Sequence, residues 1–223
     1  MHVDRLDFNG NINIGLNGYC NNEYCLVGKD ISENNIEILE KVLKVPVHQI
    51  SIAGTSLIGV FLVGNKNKLL VPNIVFDSEL KALDELKINY EVIDTKYTAL
   101  GNNVLCNDEG AIVNSEMEEK AIKQIEKALK VNIITGEIAG LEIVGALCSH
   151  NSNKGLIHRD ALDKEIELVE KTLKLELDIG TLNFGSPYIN SAILVNDNGF
   201  VCGTATTGPE MQNADYAFGF LKK

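Results

Sequence analysis

Tryptophan is absent from this chain, and aromatic residues make up only 6% of its 223 residues. Proteins that bind single-stranded nucleic acid stack bases on aromatic side chains, so the composition does not favour that class. Positive charge is scarce as well, because 20 Lys and Arg stand against 31 Asp and Glu, giving a net charge of −11. This balance opposes a phosphate-driven grip on nucleic acid and suits a partner with a basic surface.

The sequence also lacks long apolar runs and paired cysteines. No run approaches the ~20 apolar residues that cross a bilayer, and His2, Asp4 and Arg5 are unlike the start of a signal peptide. We therefore expect a soluble, cytoplasmic protein. The cysteines form no CxxC pair and their number is odd, so we interpret them as small buried side chains in strands rather than as zinc ligands. They are Cys20, Cys25, Cys106, Cys148 and Cys202.

No linker rich in Pro, Gly or Ser interrupts the chain, and what is present instead is a repeat. A glycine follows an apolar residue at intervals of 42 to 45 residues, with Asn standing in at the fifth position. We call these five the marker residues: Gly15, Gly59, Gly101, Gly145 and Asn190. Asn is the likeliest substitute for Gly where the backbone needs unusual dihedral angles, so we include the fifth copy. Five copies predict an array of modules.

The clearest copy begins at Ser51. It predicts a strand, a polar turn, a return strand, a helix and a third strand, at Leu57–Val63, Gly64–Lys68, Leu69–Val71, Asp77–Leu86 and Tyr90–Ile93. A polar Asn-rich turn follows each marker residue by about nine residues, which is typical of β-hairpins.

Capping signals predict where the helices start. Ser115 with Glu118 and Thr207 with Glu210 have the spacing of a capping box. Ser32, Asp77, and Asp160 or Asp163 precede the other three apolar stripes.

Residues 3–8 precede the first module, and the fifth module lacks a third strand. We therefore predict that Val3–Phe8 joins the sheet of Ile193–Val201 and closes a ring. The predicted fold is α/β, a fivefold pseudosymmetric α/β propeller with strands inside and helices outside. It forms one domain over residues 1–223, with modules at about 9–50, 51–94, 95–135, 136–179 and 180–223.

Candidates for chemistry are few. We find no phosphate loop, metal motif or nucleophilic cysteine beside a histidine base, and expect no enzyme, cofactor or metal. Some fivefold propellers process amidines with Cys, His and carboxylates, so an amidinotransferase or guanidino-hydrolase remains the alternative function. The marker side is polar but uncharged, at Asn13, Asn17, Thr55, Ser56, Thr98, Asn102, Asn103, Asn190 and Ser191. Uncharged hydrogen-bonding groups of this kind suit docking to a partner. The alternative is that they hydrogen-bond to neighbouring backbone groups.

Several segments together resemble the translation initiation factor 6 family of archaea and eukaryotes. These are SIAGTSLIGVFLVGNKNKLLVP at 51–72, YTALGNNVLCNDEGAIV at 97–113, TTGPE at 206–210 and NIGLNG near the start. The resemblance spans essentially the whole chain, and the end at Lys223 is similar to the archaeal form. It implies the fivefold propeller called a pentein, acting as a monomer without catalysis.

The resemblance also implies a partner, the large (50S) ribosomal subunit, bound at its intersubunit face. The main contact is ribosomal protein uL14, with L24e and the sarcin–ricin loop nearby, so that premature association with the small subunit is blocked. A duty in ribosome biogenesis would use the same face.

The family contacts uL14 through the Asn of an A-L-G-N motif, which is Asn102 here. The expected partner-binding residues are Asn102, Gly101, Ala99, Val60, Gly59, Gly15, Gly145 and Asn190. Three positions depart from the family pattern: Val60 stands where eukaryotic members often have Arg, Ala205 replaces an Asp, and Asn190 replaces a small residue.

Overall fold

The computed structural model describes residues 2–222, and its strands form five three-stranded mixed sheets. In each sheet an antiparallel hairpin is joined by a third, parallel strand. The strands of the first four sheets are β2 Gly18–Cys20, β3 Cys25–Gly28 and β4 Val47–Ile50; β5 Val63–Gly64, β6 Leu69–Pro72 and β7 Tyr90–Ile93; β8 Val104–Cys106, β9 Gly110–Asn114 and β10 Asn132–Gly136; β11 Cys148–His150, β12 Lys154–His158 and β13 Glu176–Gly180.

The fifth sheet combines the two ends of the chain. Its hairpin is β14 Ile193–Asn196 and β15 Gly199–Gly203, and its third strand is β1, Val3–Leu6. Strand β1 runs parallel to β15, with Val3 opposite Phe200 and Leu6 opposite Gly203. The prediction that the N-terminal strand completes the last sheet is confirmed, although the strand stops at Leu6.

One long helix follows the second strand of each hairpin, and in the first four units it leads to the third strand. These helices are α1 Glu33–Leu43, α2 Asp77–Glu85, α3 Glu119–Leu129, α4 Asp163–Leu173 and α5 Gly208–Ala217. The caps Ser32 and Thr207 are confirmed, since each side chain accepts a hydrogen bond from the N–H three residues ahead. The capping box at Ser115 is wrong. Glu118 is itself the N-cap of α3, and its carboxylate is occupied by Thr95 and Lys96 of the preceding connection.

The predicted strand Leu57–Val63 is also wrong, because most of it is a single helical turn. Ile58–Phe61 is helical, the Leu62 N–H donates to the Ile58 carbonyl at 2.9 Å, and only Val63–Gly64 pairs as a strand. A short apolar run fits either structure on periodicity alone, and tertiary packing decides between them. The same turn recurs in every module, and we call these five the marker turns: Ile14–Leu16, Ile58–Phe61, Leu100–Asn103, Val144–Leu147 and Asn190–Ala192.

Close packing of the marker turns explains their glycines. A Cβ added to Gly59 would lie 1.9 Å from the Gly15 carbonyl oxygen, and one on Gly101 would lie 2.0 Å from that of Gly59. A Cβ added to Gly145 would lie 2.2 Å from the Gly101 oxygen, and one added to Gly15 would lie 1.9 Å from the Asn190 oxygen. None of these four glycines has a positive φ. The requirement is therefore for space, and the dihedral-angle reason given above for Asn190 is wrong.

The hydrophobic core is divided into clusters that join neighbouring modules. Helix α1 packs on β15 and β1 of the fifth sheet, while α3, α4 and α5 pack on the sheets that precede them. In the first cluster, Leu39 and Val42 of α1 meet Leu194 and Val201 of the fifth sheet. No module buries its apolar residues alone.

Parallel pairing separates the connections into two ends. Strands β3 and β4 run in the same direction, so the helix between them runs the opposite way. Helix N-termini and marker turns therefore lie at one end, the marker end, and hairpin turns and helix C-termini lie at the other, the hairpin end. Within residues 2–222, each helix is too short or too polar to cross a bilayer.

The marker-turn packing predicts a strong difference between two Gly-to-Ala substitutions. We expect Gly101→Ala to lower the free energy of unfolding by about 3 kcal/mol or more, because the methyl group collides with backbone that cannot rotate away. Gly208→Ala is the matched control, since nothing lies within 4 Å of its Cβ and its φ is not positive, and we expect a change within about 0.5 kcal/mol. Urea unfolding measures both, and equal losses would contradict the packing explanation.

Candidate functional site at the marker end

The segments that connect strands and helices differ in charge between the two ends of the molecule. Its connecting segments carry eight acidic and three basic residues, namely Asp7, Asp30, Asp94, Glu116, Glu118, Glu137, Glu142 and Asp160 against Lys29, Lys96 and Arg159. The connecting segments of the hairpin end reverse this balance, with Lys44, Lys66, Lys68, Lys87, Lys130, Lys174 and Lys222 against Glu23, Asp108, Glu109 and Asp197. The marker end therefore attracts a basic surface and the hairpin end does not.

All eight predicted partner-binding residues lie in the marker turns or directly before one. The turns contact each other in chain order, and the first contacts the fifth. The four glycines are buried against the neighbouring backbone, which gives them a packing role. Gly59, Gly101, Gly145 and Asn190 also line a central cavity of about 580 Å³. Val60, Ala99 and Asn102 are half-exposed, so these three are the predicted residues best able to contact a partner.

Asn102 and Asn103 are neighbours with different surroundings. The Asn103 side chain is buried, donates to the Ala99 carbonyl at 2.8 Å and accepts from Asn114 at 2.7 Å. Asn102 is half-exposed; its backbone N–H donates to the Ala99 carbonyl at 3.0 Å, but no residue among 2–222 hydrogen-bonds its side-chain amide. Asn103 therefore belongs to the fold, whereas the Asn102 amide is available to a partner.

Other polar residues of this side satisfy backbone. Asn17 donates to the Ser56 carbonyl at 2.9 Å, which ties the first marker turn to the segment before the second. Thr55 donates to the Ile52 carbonyl at 3.0 Å within its own turn. For these two residues, the prediction that the polar side chains hydrogen-bond to neighbouring backbone is confirmed.

Glutamates hold the turns that precede the marker turns, a feature that sequence reasoning missed. Glu79 accepts from the N–H groups of Ala53 at 2.8 Å and Gly54 at 2.9 Å. Glu165 accepts from Ala139, and Glu210 from Gly185, at 2.8 and 2.7 Å. Each glutamate is the third residue of its helix. The sequence indicates a capping role at that position but does not indicate the hydrogen bonds to a turn distant in the chain.

Uncharged segments at the marker end expose apolar side chains. Residues 51–57 and 181–189 contain no charged residue. Leu57 is 37% exposed, Tyr188 42% and Phe184 82%. These side chains are apolar positions on an otherwise acidic end, and no periodic pattern in the sequence distinguishes them.

Among residues 2–222, the cysteines and the histidine that line the central cavity are not activated for nucleophilic attack. Burial raises the pKa of Cys106 to about 12, and burial also raises the pKa of Cys148 far above its ordinary value. Both ring nitrogens of His150 face backbone carbonyls, that of Asn151 at 3.0 Å and that of Cys106 at 3.1 Å. Desolvation lowers the pKa of His150. Cysteine chemistry needs a thiolate and a free base, and this arrangement supplies neither.

Metal binding finds no support in the part of the chain that the structure describes. Among residues 2–222, no three His, Cys, Asp or Glu side chains converge as a metal site would require. All five cysteines lie in strands, and four of them are buried. Their interpretation as buried strand residues is confirmed for those four.

The turn-holding role of Glu79 predicts a pH-dependent stability. Burial acts to raise the pKa of Glu79, but hydrogen bonds from Phe76, Gly54 and Ala53 outweigh it, so the pKa lies below its ordinary value. The stabilisation is complete above the unfolded-state pKa of about 4.3 and is lost as pH falls through the lower folded-state pKa.

We therefore expect Glu79→Gln to lower the free energy of unfolding by about 1.5–3 kcal/mol at pH 7. The difference in unfolding free energy between the variant and wild type should become smaller towards pH 3. Denaturant unfolding at both pH values measures it, with the exposed Glu37→Gln as the control. A gap of the same size at both pH values would show that the carboxylate charge is not responsible.

Comparison with known proteins gives a consistent result. The model of the eIF-6 family matches residues 3–217. Translation initiation factor 6 of Pyrococcus furiosus is 39% identical, and that of Pyrococcus horikoshii 37% identical, in each case over 99% of this chain and 100% of the relative. The protein of the same name from Sulfolobus acidocaldarius is 34% identical over 98% of this chain and 99% of the relative. The repeat, the paired chain ends and these full-length similarities together place the chain in the eIF-6 family.

Proposed function

We propose that this protein binds the large ribosomal subunit at its intersubunit face through the marker end, and thereby prevents premature association with the small subunit. The relatives are named translation initiation factors, which supports a role in translation initiation. Binding alone is sufficient for the mechanism, because a surface covered by a folded domain cannot receive the other subunit. The same occupancy would serve ribosome biogenesis in the cytoplasm.

The single observation that carries the proposal is the separation of charge between the two ends. Eight acidic residues stand against three basic ones in the connections of the marker end. Ribosomal proteins are basic, so this end is steered towards them, whereas exposed RNA phosphates repel it. The resemblance to the family suggests uL14 as the main contact, with L24e beside it and the sarcin–ricin loop at the margin, and a basic ribosomal protein is compatible with this charge.

The contact itself would centre on the half-exposed residues of the marker turns. Asn102 offers an amide without an internal partner, and Val60 and Ala99 offer small apolar surface close to it. Val60 cannot form the salt bridge that Arg would form at this position. Apolar contact and one amide hydrogen bond would take its place in this chain.

A pentein architecture fits this role. The pairing of β1 with β15 and the contact of Gly15 with the Asn190 carbonyl join the first and last modules. We therefore propose a single, monomeric fivefold propeller with a rigid end for docking. The alternative, an enzyme acting on guanidino compounds, is disfavoured by the protonated, buried thiols around the cavity.

A subunit-joining experiment tests the function. Purified archaeal large and small subunits are mixed with increasing amounts of the protein, and joined ribosomes are separated on sucrose gradients. We expect the protein to sediment with the large subunit alone, to reduce the joined fraction, and to bind less rapidly as salt is raised. Undiminished joining at saturating protein would overturn the proposal.

The pair Asn102 and Asn103 tests the docking site. We expect Asn102→Asp to weaken large-subunit binding by about 5- to 150-fold, equivalent to about 1–3 kcal/mol, without a change in unfolding. Asn103→Ala should instead lower the free energy of unfolding by about 1–3 kcal/mol, because it leaves buried partners unpaired. Co-sedimentation and urea unfolding separate the two effects, and unchanged binding by Asn102→Asp would remove Asn102 from the site.

A further inference from the structure

We propose that Phe184 is the aromatic anchor of the marker end, inserting into an apolar pocket on a basic protein surface of the large subunit. This inference rests on the proposed function and specifies the residue that contributes most to the docking affinity. On this inference the largest contribution to the binding free energy comes from the fifth module and not from the third, where Asn102 lies.

The backbone at Phe184 is the first observation. In three other modules the tip of the corresponding turn is a pair of residues with positive φ, at Asn9–Gly10, Ala53–Gly54 and Ala139–Gly140. The fifth module has three such residues in succession, Asn183 at 48°, Phe184 at 63° and Gly185 at 94°. A bulky side chain in this left-handed region is strained, and strain of this kind concentrates at functional sites. The turn has been extended by one residue, and that residue is Phe.

Exposure is the second observation. Phe184 is 82% exposed, the highest value among the exposed large apolar side chains of residues 2–222. A side chain in this position contributes little to the core, so neither packing nor backbone conformation accounts for its presence. Tyr188, 42% exposed, extends the apolar surface and packs edge-on against His158, with ring centroids 6.4 Å apart.

The turn that carries Phe184 is held rigidly. Glu210 accepts from the N–H of Phe184 at 3.2 Å and of Gly185 at 2.7 Å. Burial acts to raise the pKa of Glu210, but hydrogen bonds from Thr207 and Gly185 outweigh it and the net shift is downwards, so the carboxylate is charged at neutral pH.

Asn183 secures the other side of the same turn. It is buried and donates through its amide to the Ile12 carbonyl at 2.8 Å, and its N–H donates to Thr206. A preordered aromatic residue loses little conformational entropy on binding, which favours it as an anchor.

Charge selects the class of partner. The segment 181–189 contains no Lys or Arg, and acidic residues predominate in the connections around it. Aromatic stacking on single-stranded RNA is ordinarily combined with a basic groove that follows the phosphates, and this end has none. Interface hot spots are instead enriched in aromatic residues that fill protein pockets within a rim of complementary charge. The occupant we infer is therefore a ribosomal protein and not ribosomal RNA.

Affinity and stability measured together test the role of Phe184. We expect Phe184→Ala to weaken binding to purified large subunits by about 30-fold or more, which corresponds to about 2 kcal/mol. Its melting temperature should not fall. Phe184→Tyr should retain most of the affinity, and Phe184→Gly should lose affinity while unfolding at an equal or higher temperature, because strain is relieved.

Phe76→Ala is the matched control. Phe76 is a Phe that is 56% exposed at the same end, with an ordinary φ of −87°, and its replacement should leave binding unchanged. Binding by Phe184→Ala equal to wild type, or an equal loss in both variants, would overturn the anchor role. Failure of the wild-type protein to bind large subunits would instead overturn the proposed function and this inference together.

A photo-crosslinking residue at position 184 tests the class of partner. The substituted protein is bound to purified large subunits, irradiated and digested with ribonuclease or protease. We expect the crosslink to survive ribonuclease and to identify a ribosomal protein. A crosslink confined to ribosomal RNA would overturn the inferred partner even if Phe184→Ala weakens binding.

Discussion

Contact between backbones at the centre of the molecule is the constraint on which the rest of this structure depends. The marker glycines approach the preceding turn so closely that a single methyl group would lie about 2 Å from a carbonyl oxygen. Gly15 approaches Asn190 in the same way, so the first and fifth modules pack through the same backbone contact as consecutive modules. The fifth position differs, since Asn190 carries a side chain where the others carry none. Asn190 borders the central cavity, as do Gly59, Gly101 and Gly145.

The shared core follows from this central contact. A helix in one module covers the sheet of the module before it, so apolar burial is distributed over the boundaries between modules. The two chain ends are joined in a similar way, because strand β1 supplies the third strand that the last hairpin lacks. The result is a framework in which the marker-end connections are anchored on both sides. Rigid connections of this kind suit recognition by shape and charge.

The surface of the marker end combines acidic connecting segments with a few uncharged turns. Glutamates that would be exposed on an isolated helix are instead directed at backbone N–H groups of the neighbouring turn, where their charge orders the surface. The connecting segments of this end carry more acidic than basic residues, and under the proposed function this excess favours a basic partner. Phe184 and Asn102 stand in different modules of this end, one offering apolar area and the other an unsatisfied amide. Under the proposed function this surface occupies a site on a partner, while burial raises the pKa of the Cys106 and Cys148 thiols around the central cavity.

Periodicity and local chemistry determined much of this protein from sequence alone. The recurrence of the marker residues predicted five modules, and the missing strand of the fifth predicted the pairing of Val3–Phe8, of which Val3–Leu6 pairs. Ser32 and Thr207 marked true helix starts because capping is a local interaction. The LIGVF run could not be assigned correctly, since a short apolar segment fits a strand or a helical turn equally well. Packing of the turns against one another made it helical. Glu118, the central role of Glu79 and the exposure of Phe184 likewise depend on residues distant in the chain, so only the tertiary structure could decide them.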